Sequence, residues 1–204
     1  MNTPNFKKEC NEYLQEVDVV KVCFDTFDYL NAELSKHDFY FNNLAFYRNG
    51  SGGTAIGTLI DGFLPGKFSS NSNHTFVHGK DRTEPDLVCI DCSRLNGEIK
   101  TSGQGHYLKN GKYSKQRMVG SKTNAGRHRS AKSTKYTNDD YHFYVFIAYH
   151  IPRNENEKLI INKIELGMLK ASDWMTSDDS KNSGSAYIKE ELHKKQFFTI
   201  YSRF

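Results

Sequence analysis

Pro85-Asp86-Leu87-Val88-Cys89-Ile90-Asp91-Cys92-Ser93-Arg94-Leu95-Asn96-Gly97-Glu98-Ile99-Lys100 is the stretch around which the architecture can be worked out. An apolar run over Leu87, Val88, Cys89 and Ile90, a polar turn from Ser93 to Gly97 and a return through Glu98-Ile99-Lys100 read as a β-hairpin. Side chains two apart on a strand share a face, so Glu98 and Lys100 project together while Ile99 points into the core behind them. Asp86 stands at the entrance to the first strand, and closing the hairpin brings its carboxylate beside that of Glu98. Asp91 is the rival first carboxylate, but it lies an odd number of positions from Asp86, near the turn, and reads onto the other face. Cys89 and Cys92 form a CxxC with no second pair of ligands at zinc-site spacing, and are read as two small residues on opposite faces of a strand.

Upstream, residues 7–34 carry Tyr13, Leu14, Val17, Val20, Phe27, Leu30 and Leu34 near helical spacing, which predicts helices. Asn49-Gly50-Ser51-Gly52-Gly53 is a breaker, after which Thr54 reads as the N-cap of a helix carrying Ile56, Leu59, Ile60, Phe63 and Leu64. Pro65-Gly66 is expected to end it, and residues 67–82 to form a polar loop. Downstream, residues 141–151 are too densely apolar for a surface strand and predict a central strand buried on both faces. Residues 159–166 are a further strand candidate, residues 189–195 a short helix and residues 197–201 a final strand. With no internal repeat and no credible linker, residues 1–204 read as a single mixed α/β (α+β) domain, helices first and then a sheet interrupted by one insertion.

That insertion holds the excess positive charge. The formal net charge of +4 names no partner by its size. Residues 101–138, however, hold Lys109, Lys112, Lys115, Arg117, Lys122, Arg127, Arg129, Lys132 and Lys135 with no Asp or Glu. The rest of the chain, with 19 bases and 24 acids, is net negative. The segment is also rich in Gly, Ser, Thr, Asn and Gln, which reads as a loop-like surface for phosphates, with Arg, Asn and Gln able to read base edges. A plain basic loop without a ligand is the alternative.

Other classes fall away. Only 37% of the residues are apolar, but 12 Tyr and 14 Phe supply enough buriable surface for one core, against wholesale disorder. No run approaches the roughly 20 apolar residues of a membrane span, and residues 1–10 lack the apolar run of a signal peptide, so a soluble cytoplasmic protein with reduced cysteines is expected. There is no His-Glu-x-x-His, Gly-x-Ser-x-Gly or Gly-x-x-x-x-Gly-Lys-Ser/Thr, which removes the zinc-peptidase, serine-hydrolase and P-loop readings.

Asp86 and Glu98 together offer two hard oxygen ligands of the kind that suit Mg²⁺, which keeps several waters and binds substrate phosphate. Phosphodiester hydrolysis needs a polarised phosphoryl oxygen, an activated water and stabilisation of the developing charge. Two acids can hold the metal, and a lysine can orient the water or offset charge on the phosphate. The Glu98-Ile99-Lys100 triplet by itself reads as a solvated ion pair, since surface strands often alternate Glu and Lys.

The set is more specific than its members. Pro85-Asp86, a hairpin of suitable length, Glu98-x-Lys100 ending an apolar strand and a basic segment after it resemble the PD-(D/E)XK nuclease superfamily. Gly53-Thr54-Ala55-Ile56-Gly57-Thr58-Leu59-Ile60-Asp61 is similar to the Gly-x-Ile-Gly-x-x-Ile-Glu helix of mismatch-repair nicking endonucleases and small type II restriction enzymes, with Asp61 in the place of its acid. The resemblance implies a restriction-endonuclease-like core, a central mixed sheet flanked by helices. It implies Mg²⁺-dependent cleavage of double-stranded DNA, with Asp86, Glu98 and Lys100 catalytic and Asp86, Glu98 and Asp61 holding the metal. It also implies a homodimer, and sequence specificity supplied from outside the core, for which residues 101–136 are the candidate. Two alternatives stay open: a repair, nicking or structure-specific nuclease, and a non-catalytic nucleic-acid-binding module in which Asp86, Glu98 and Lys100 are a surface ion cluster.

Overall fold

The computed structural model describes residues 3–36, 51–79, 85–102, 141–150, 157–170, 173–176, 186–188 and 190–203. Helix α1 (Phe6–Glu16) starts where the Asn5 side chain accepts the Lys8 backbone N–H at 3.2 Å, and α2 (Val19–Lys36) where Asp18 accepts that of Lys21 at 2.9 Å, both satisfying amides that a helix leaves open. Phe6, Cys10 and Tyr13 on α1 and Val19, Val22, Cys23, Thr26, Phe27 and Leu30 on α2 repeat at helical spacing and are all buried. These are the helices expected in the first third of the chain.

Helix α3 (Ser51–Ser70) departs from expectation at both ends. It begins at Ser51 within the glycine run, so Thr54 is an interior residue and not a cap, and it continues through Pro65 for five more residues. Proline removes the N–H that would reach the carbonyl of Asp61, a cost in a helix interior. Against that cost stands a buried stripe at spacings of four, Ile56, Ile60, Leu64 and Phe68, each 0% exposed. Burying four such side chains contributes roughly 6–12 kcal/mol, more than the roughly 3 kcal/mol a helical proline takes away. Beyond α3, the segment expected to be a loop contains strand β1 (Phe76–His78). Ser69 ties it to the helix, its hydroxyl accepting the Phe76 N–H at 2.7 Å, and the Phe68 and Phe76 rings meet edge to face at 5.2 Å.

The expected hairpin consists of β2 (Leu87–Cys89) and β3 (Gly97–Ser102), joined through a single 3₁₀ turn at Ser93–Leu95. They continue into β4 (His142–His150), β5 (Ile160–Leu169) and β8 (Phe197–Ser202), with α4 (Glu190–Gln196) leading into the last strand. A separate two-stranded ribbon pairs β6 (Trp174–Thr176) with β7 (Ala186–Ile188). The main sheet runs β1-β2-β3-β4-β5-β8. Every neighbouring pair is antiparallel except β3 and β4, which run parallel from Gly97↔Phe143 to Ser102↔Ala148. A mixed sheet with helices is the architecture the resemblance implied.

One face of the sheet carries the core. Phe143, Val145, Ile147 and Tyr149 of β4 and Ile161, Ile164, Leu166 and Met168 of β5 pack with the buried stripes of α1, α2 and α3. β4 is buried from Phe143 to Tyr149, as its sequence predicted. In β5 the alternation slips once: Tyr149 pairs with Ile161 and Ala148 with Lys163, so Asn162 is an extra residue, a bulge. Its carbonyl accepts the Arg203 N–H at 3.0 Å. Among the described residues no helix is long and apolar enough to cross a membrane.

Candidate active site

The strand alternation that buries Ile99 against the helices turns Glu98 and Lys100 to the opposite face, where they sit beside Tyr144 and Phe146 of β4. Leu87 pairs with Gly97, which sets Asp86, one residue before β2, next to the start of β3. Its Oδ2 accepts the Ile99 backbone N–H at 3.1 Å and the Lys100 ammonium at 3.1 Å. Lys100 Nζ also donates to Glu98 Oε2 at 2.8 Å and to the Ile99 carbonyl at 2.9 Å. The three residues singled out from the hairpin are one hydrogen-bonded group.

Burial separates the two readings of that group. Glu98 is 0% and Lys100 6% exposed, so this is not the solvated ion pair that an alternating surface strand would give. Burial pushes the Lys100 pKa down, but Asp86 and Glu98 more than offset it and raise it above the ordinary lysine value, so the ammonium is charged. Carboxylates held inside a protein at such cost are unusual outside functional sites.

Helix α3 adds a third carboxylate. Gly57 meets β3 so closely that a Cβ there would lie 2.8 Å from Thr101 Oγ1, and one turn further along, Asp61 lies in the electrostatic field of Asp86, Lys100, His78 and Glu98. Asp61 Oδ1 is sealed from water and has no hydrogen-bond partner among the described residues. Its pKa is raised from 3.8 to about 7, first by desolvation and then by the Asp86 charge. A sealed, unsatisfied carboxylate oxygen in the field of two more carboxylates is a poor arrangement for a protein alone. It is a good one for a hard divalent cation, which takes oxygen donors and repays their mutual repulsion. Asp86 and Glu98, brought together on the Lys100 ammonium, are oxygen donors of the kind taken by the metal that the resemblance implied.

The remaining site expectations divide. Asp91 lies past the other end of β2, where its Oδ1 accepts a hydrogen bond from Cys89 Sγ at 3.0 Å, which removes it as the first carboxylate. Cys92 is not on the strand face assigned to it; it precedes the 3₁₀ turn, so only Cys89 of the CxxC belongs to β2. All nine basic residues of the insertion, Lys109 to Lys135, lie outside the described residues.

One polar group was missed. Lys100 pairs across to Phe146, and Phe146 to Glu165 of β5, so Glu165 lies on the same face two strands away, 4% exposed. It is held by Lys163, by His193 at 3.2 Å and by Thr199 at 3.3 Å. Burial raises its pKa, but the hydrogen bonds and charges of His193 and Lys163 leave it lowered overall. The signal was present as Lys163-Ile164-Glu165, the reverse of Glu98-Ile99-Lys100, inside an otherwise apolar strand.

A family model described as the ScaI restriction endonuclease matches residues 10–201, nearly the whole chain. No curated protein and no solved structure gives a significant match.

Proposed function

The chain belongs to the ScaI restriction endonuclease family, a type II restriction enzyme family of the PD-(D/E)XK superfamily, and from that premise we propose a Mg²⁺-dependent, sequence-specific cleavage of double-stranded DNA at Asp86, Glu98, Lys100 and Asp61. The observation that carries the site is the buried group itself: two carboxylates sharing one charged lysine, with the unsatisfied Asp61 oxygen within reach of their charges. Asp86, Glu98 and Asp61 would hold the ion, which when bound supplies a Lewis acid for the phosphoryl oxygen and a more acidic water.

The protein side of the reaction follows from the residues. Lys100 spends its charge on Asp86 and Glu98 in this arrangement. Once those carboxylates are otherwise neutralised, its ammonium is left to orient the attacking water or to offset the charge growing on the phosphate, which is where electrostatic stabilisation is worth most. Asp86 is fixed by the Ile99 N–H, so its carboxylate needs no reordering when substrate arrives. Residues 101–136 begin immediately after Lys100, and their bases, Lys122, Arg127 and Arg129 among them, are our choice for the DNA contacts. A cytoplasmic homodimer would set two such sites on opposite strands.

The test is cleavage of long duplex DNA with Mg²⁺ or EDTA, by wild type and by Glu98→Ala and Lys100→Ala. We expect discrete fragments from wild type with Mg²⁺ only, and intact but still bound DNA with either variant. Cutting that survives Glu98→Ala would remove the assigned site; a smear in place of bands would remove the sequence specificity.

A further inference from the structure

A second constellation lies at the other end of β2, away from the carboxylate–lysine group. His74, from the link between α3 and β1, meets Cys89 at the end of β2 and Asp91 just after it, and the ligand atoms of the three lie within 4.8 Å of one another. Cys89 Sγ donates to Asp91 Oδ1 at 3.0 Å, and His74 Nδ1 stands 3.3 Å from the same oxygen. That ring nitrogen is sealed from water and makes no hydrogen bond among the described residues. Such an atom calls for a partner. The other ring nitrogen, Nε2, is held at 3.3 Å by Glu16 Oε2 of α1, and Glu16 is held in turn by Arg94.

We propose that His74 Nδ1, Cys89 Sγ and an Asp91 carboxylate oxygen bind a divalent ion of the zinc class. Tetrahedral zinc with bonds of about 2.0–2.3 Å places its ligand atoms roughly 3.3–3.8 Å apart, inside the range these three atoms span. An imidazole, a thiolate and a carboxylate select zinc or a similar borderline-soft ion over magnesium, which wants oxygen alone. The Glu16–His74 pair is the outer half of a carboxylate–histidine–metal relay, which fixes the ring and leaves Nδ1 as the donor. Binding converts the Cys89 thiol to a thiolate and releases its proton to solvent. The fourth position falls to water. Cys92 is outside the set, hydrogen-bonded to Arg94. The ion would join the α3–β1 link to the end of β2, with α1 held through Glu16, and so pin the strand whose opposite end carries Asp86.

Cobalt(II) reports on this directly, because only a thiolate ligand gives the intense near-ultraviolet sulfur-to-cobalt band, which an all-oxygen site cannot produce. Full-length protein stripped with chelator and titrated with cobalt(II) is expected to develop that band, to lose it on adding zinc and to keep it in a large excess of magnesium. Cys89→Ser and His74→Ala should lack the band, whereas Cys92→Ser and Cys10→Ser should retain it. Zinc at a hundredfold excess over its Kd should raise the unfolding midpoint of wild type by roughly 5–10 °C. No sulfur-to-cobalt band in wild type, or a band kept by Cys89→Ser and lost by Cys92→Ser, overturns the proposal. The wild-type titration answers even where a variant fails to fold, and it needs no DNA, so its result is independent of the cleavage assay.

Discussion

The two ends of β2 make opposite use of the same three-residue strand. Before Leu87 stands Asp86, which joins Glu98, Asp61 and a charged lysine; after Val88 stand Cys89 and Asp91, which join a histidine. At the strand rise the two groups are about 10 Å apart along the chain. One offers oxygen alone, with an internal cation to hold it together; the other offers nitrogen, sulfur and oxygen at the far end of β2. Donor chemistry, more than location, separates the site proposed for a hard ion and phosphate from the one proposed for a softer ion.

The largest test of that contrast is at Lys100. Lys100→Ala should reduce cleavage by about a thousandfold or more. It should also destabilise the metal-free protein by about 3–5 kcal/mol, because Glu98 is left buried without its cation. Denaturant unfolding in EDTA and in Mg²⁺ reads the second effect, and Mg²⁺ should recover part of the loss; a variant as stable as wild type in EDTA would mean the pair is not the anchor its burial suggests.

Next in size is a reciprocal exchange. Asp86→Asn should lose the thermal stabilisation by Mg²⁺ while keeping the cobalt band, and Cys89→Ser should do the reverse. Joint loss in either variant would show that the two ends of β2 act as one unit.

A pH dependence follows from Asp61. Its pKa is raised from 3.8 to about 7, so the folded state holds the proton more tightly than the unfolded state does. The associated stability is fully present below about pH 4 and is lost as pH rises through about 7, where the carboxylate ionises beside Asp86 and Glu98, with Lys100 and His78 as the compensating neighbours. In EDTA the unfolding midpoint should therefore fall across that window, and stabilisation by Mg²⁺ should grow across it. Asp61→Asn should flatten both trends and weaken Mg²⁺ binding roughly ten- to hundredfold; retention of the inflection would assign it to another group.

Two smaller effects concern what surrounds the oxygen site. Gly57→Ala would drive its Cβ to 2.8 Å from Thr101 Oγ1, moving α3 or Thr101, and should lower kcat/KM by roughly tenfold, with recovery in the Gly57→Ala, Thr101→Ala double variant. Arg127→Ala with Arg129→Ala should weaken DNA binding and reduce the slope of log affinity against log salt by about 2, measured on duplex DNA without cutting. An unchanged slope would take those residues out of the interface.

The oxygen site was legible because its logic is local. A two-residue strand period and one short turn suffice to bring Asp86, Glu98 and Lys100 together, and both lie within sixteen consecutive residues. What was lost depended on contacts distant in sequence. Strand β1 was hidden in a polar stretch because only pairing with β2 and the Ser69 hydroxyl make Phe76-Val77-His78 a strand. The ends of α3 were misplaced because glycine and proline signals are weaker than the packing of Ile56, Ile60, Leu64 and Phe68. His74 could not be joined to the CxxC region from spacing, since it is the Phe76↔Cys89 register that sets the two beside each other. Burial of Glu98 and Lys100, which decides between an ion pair on the surface and a site, is a property of the whole sheet.

The bulge at Asn162 divides β5 into two phases: Ile161 faces the helices before it, and Ile164, Leu166 and Met168 face them after it. Straightening the strand with Asn162 kept would turn one half inside out, exchanging those three apolar side chains with Lys163, Glu165 and Gly167, whereas removing Asn162 itself would leave Ile161, Lys163 and Ile164 in strict alternation, each on its present face. The bulge therefore keeps the two halves of the strand in phase, and Asn162 is the one residue whose loss preserves every pairing in that register.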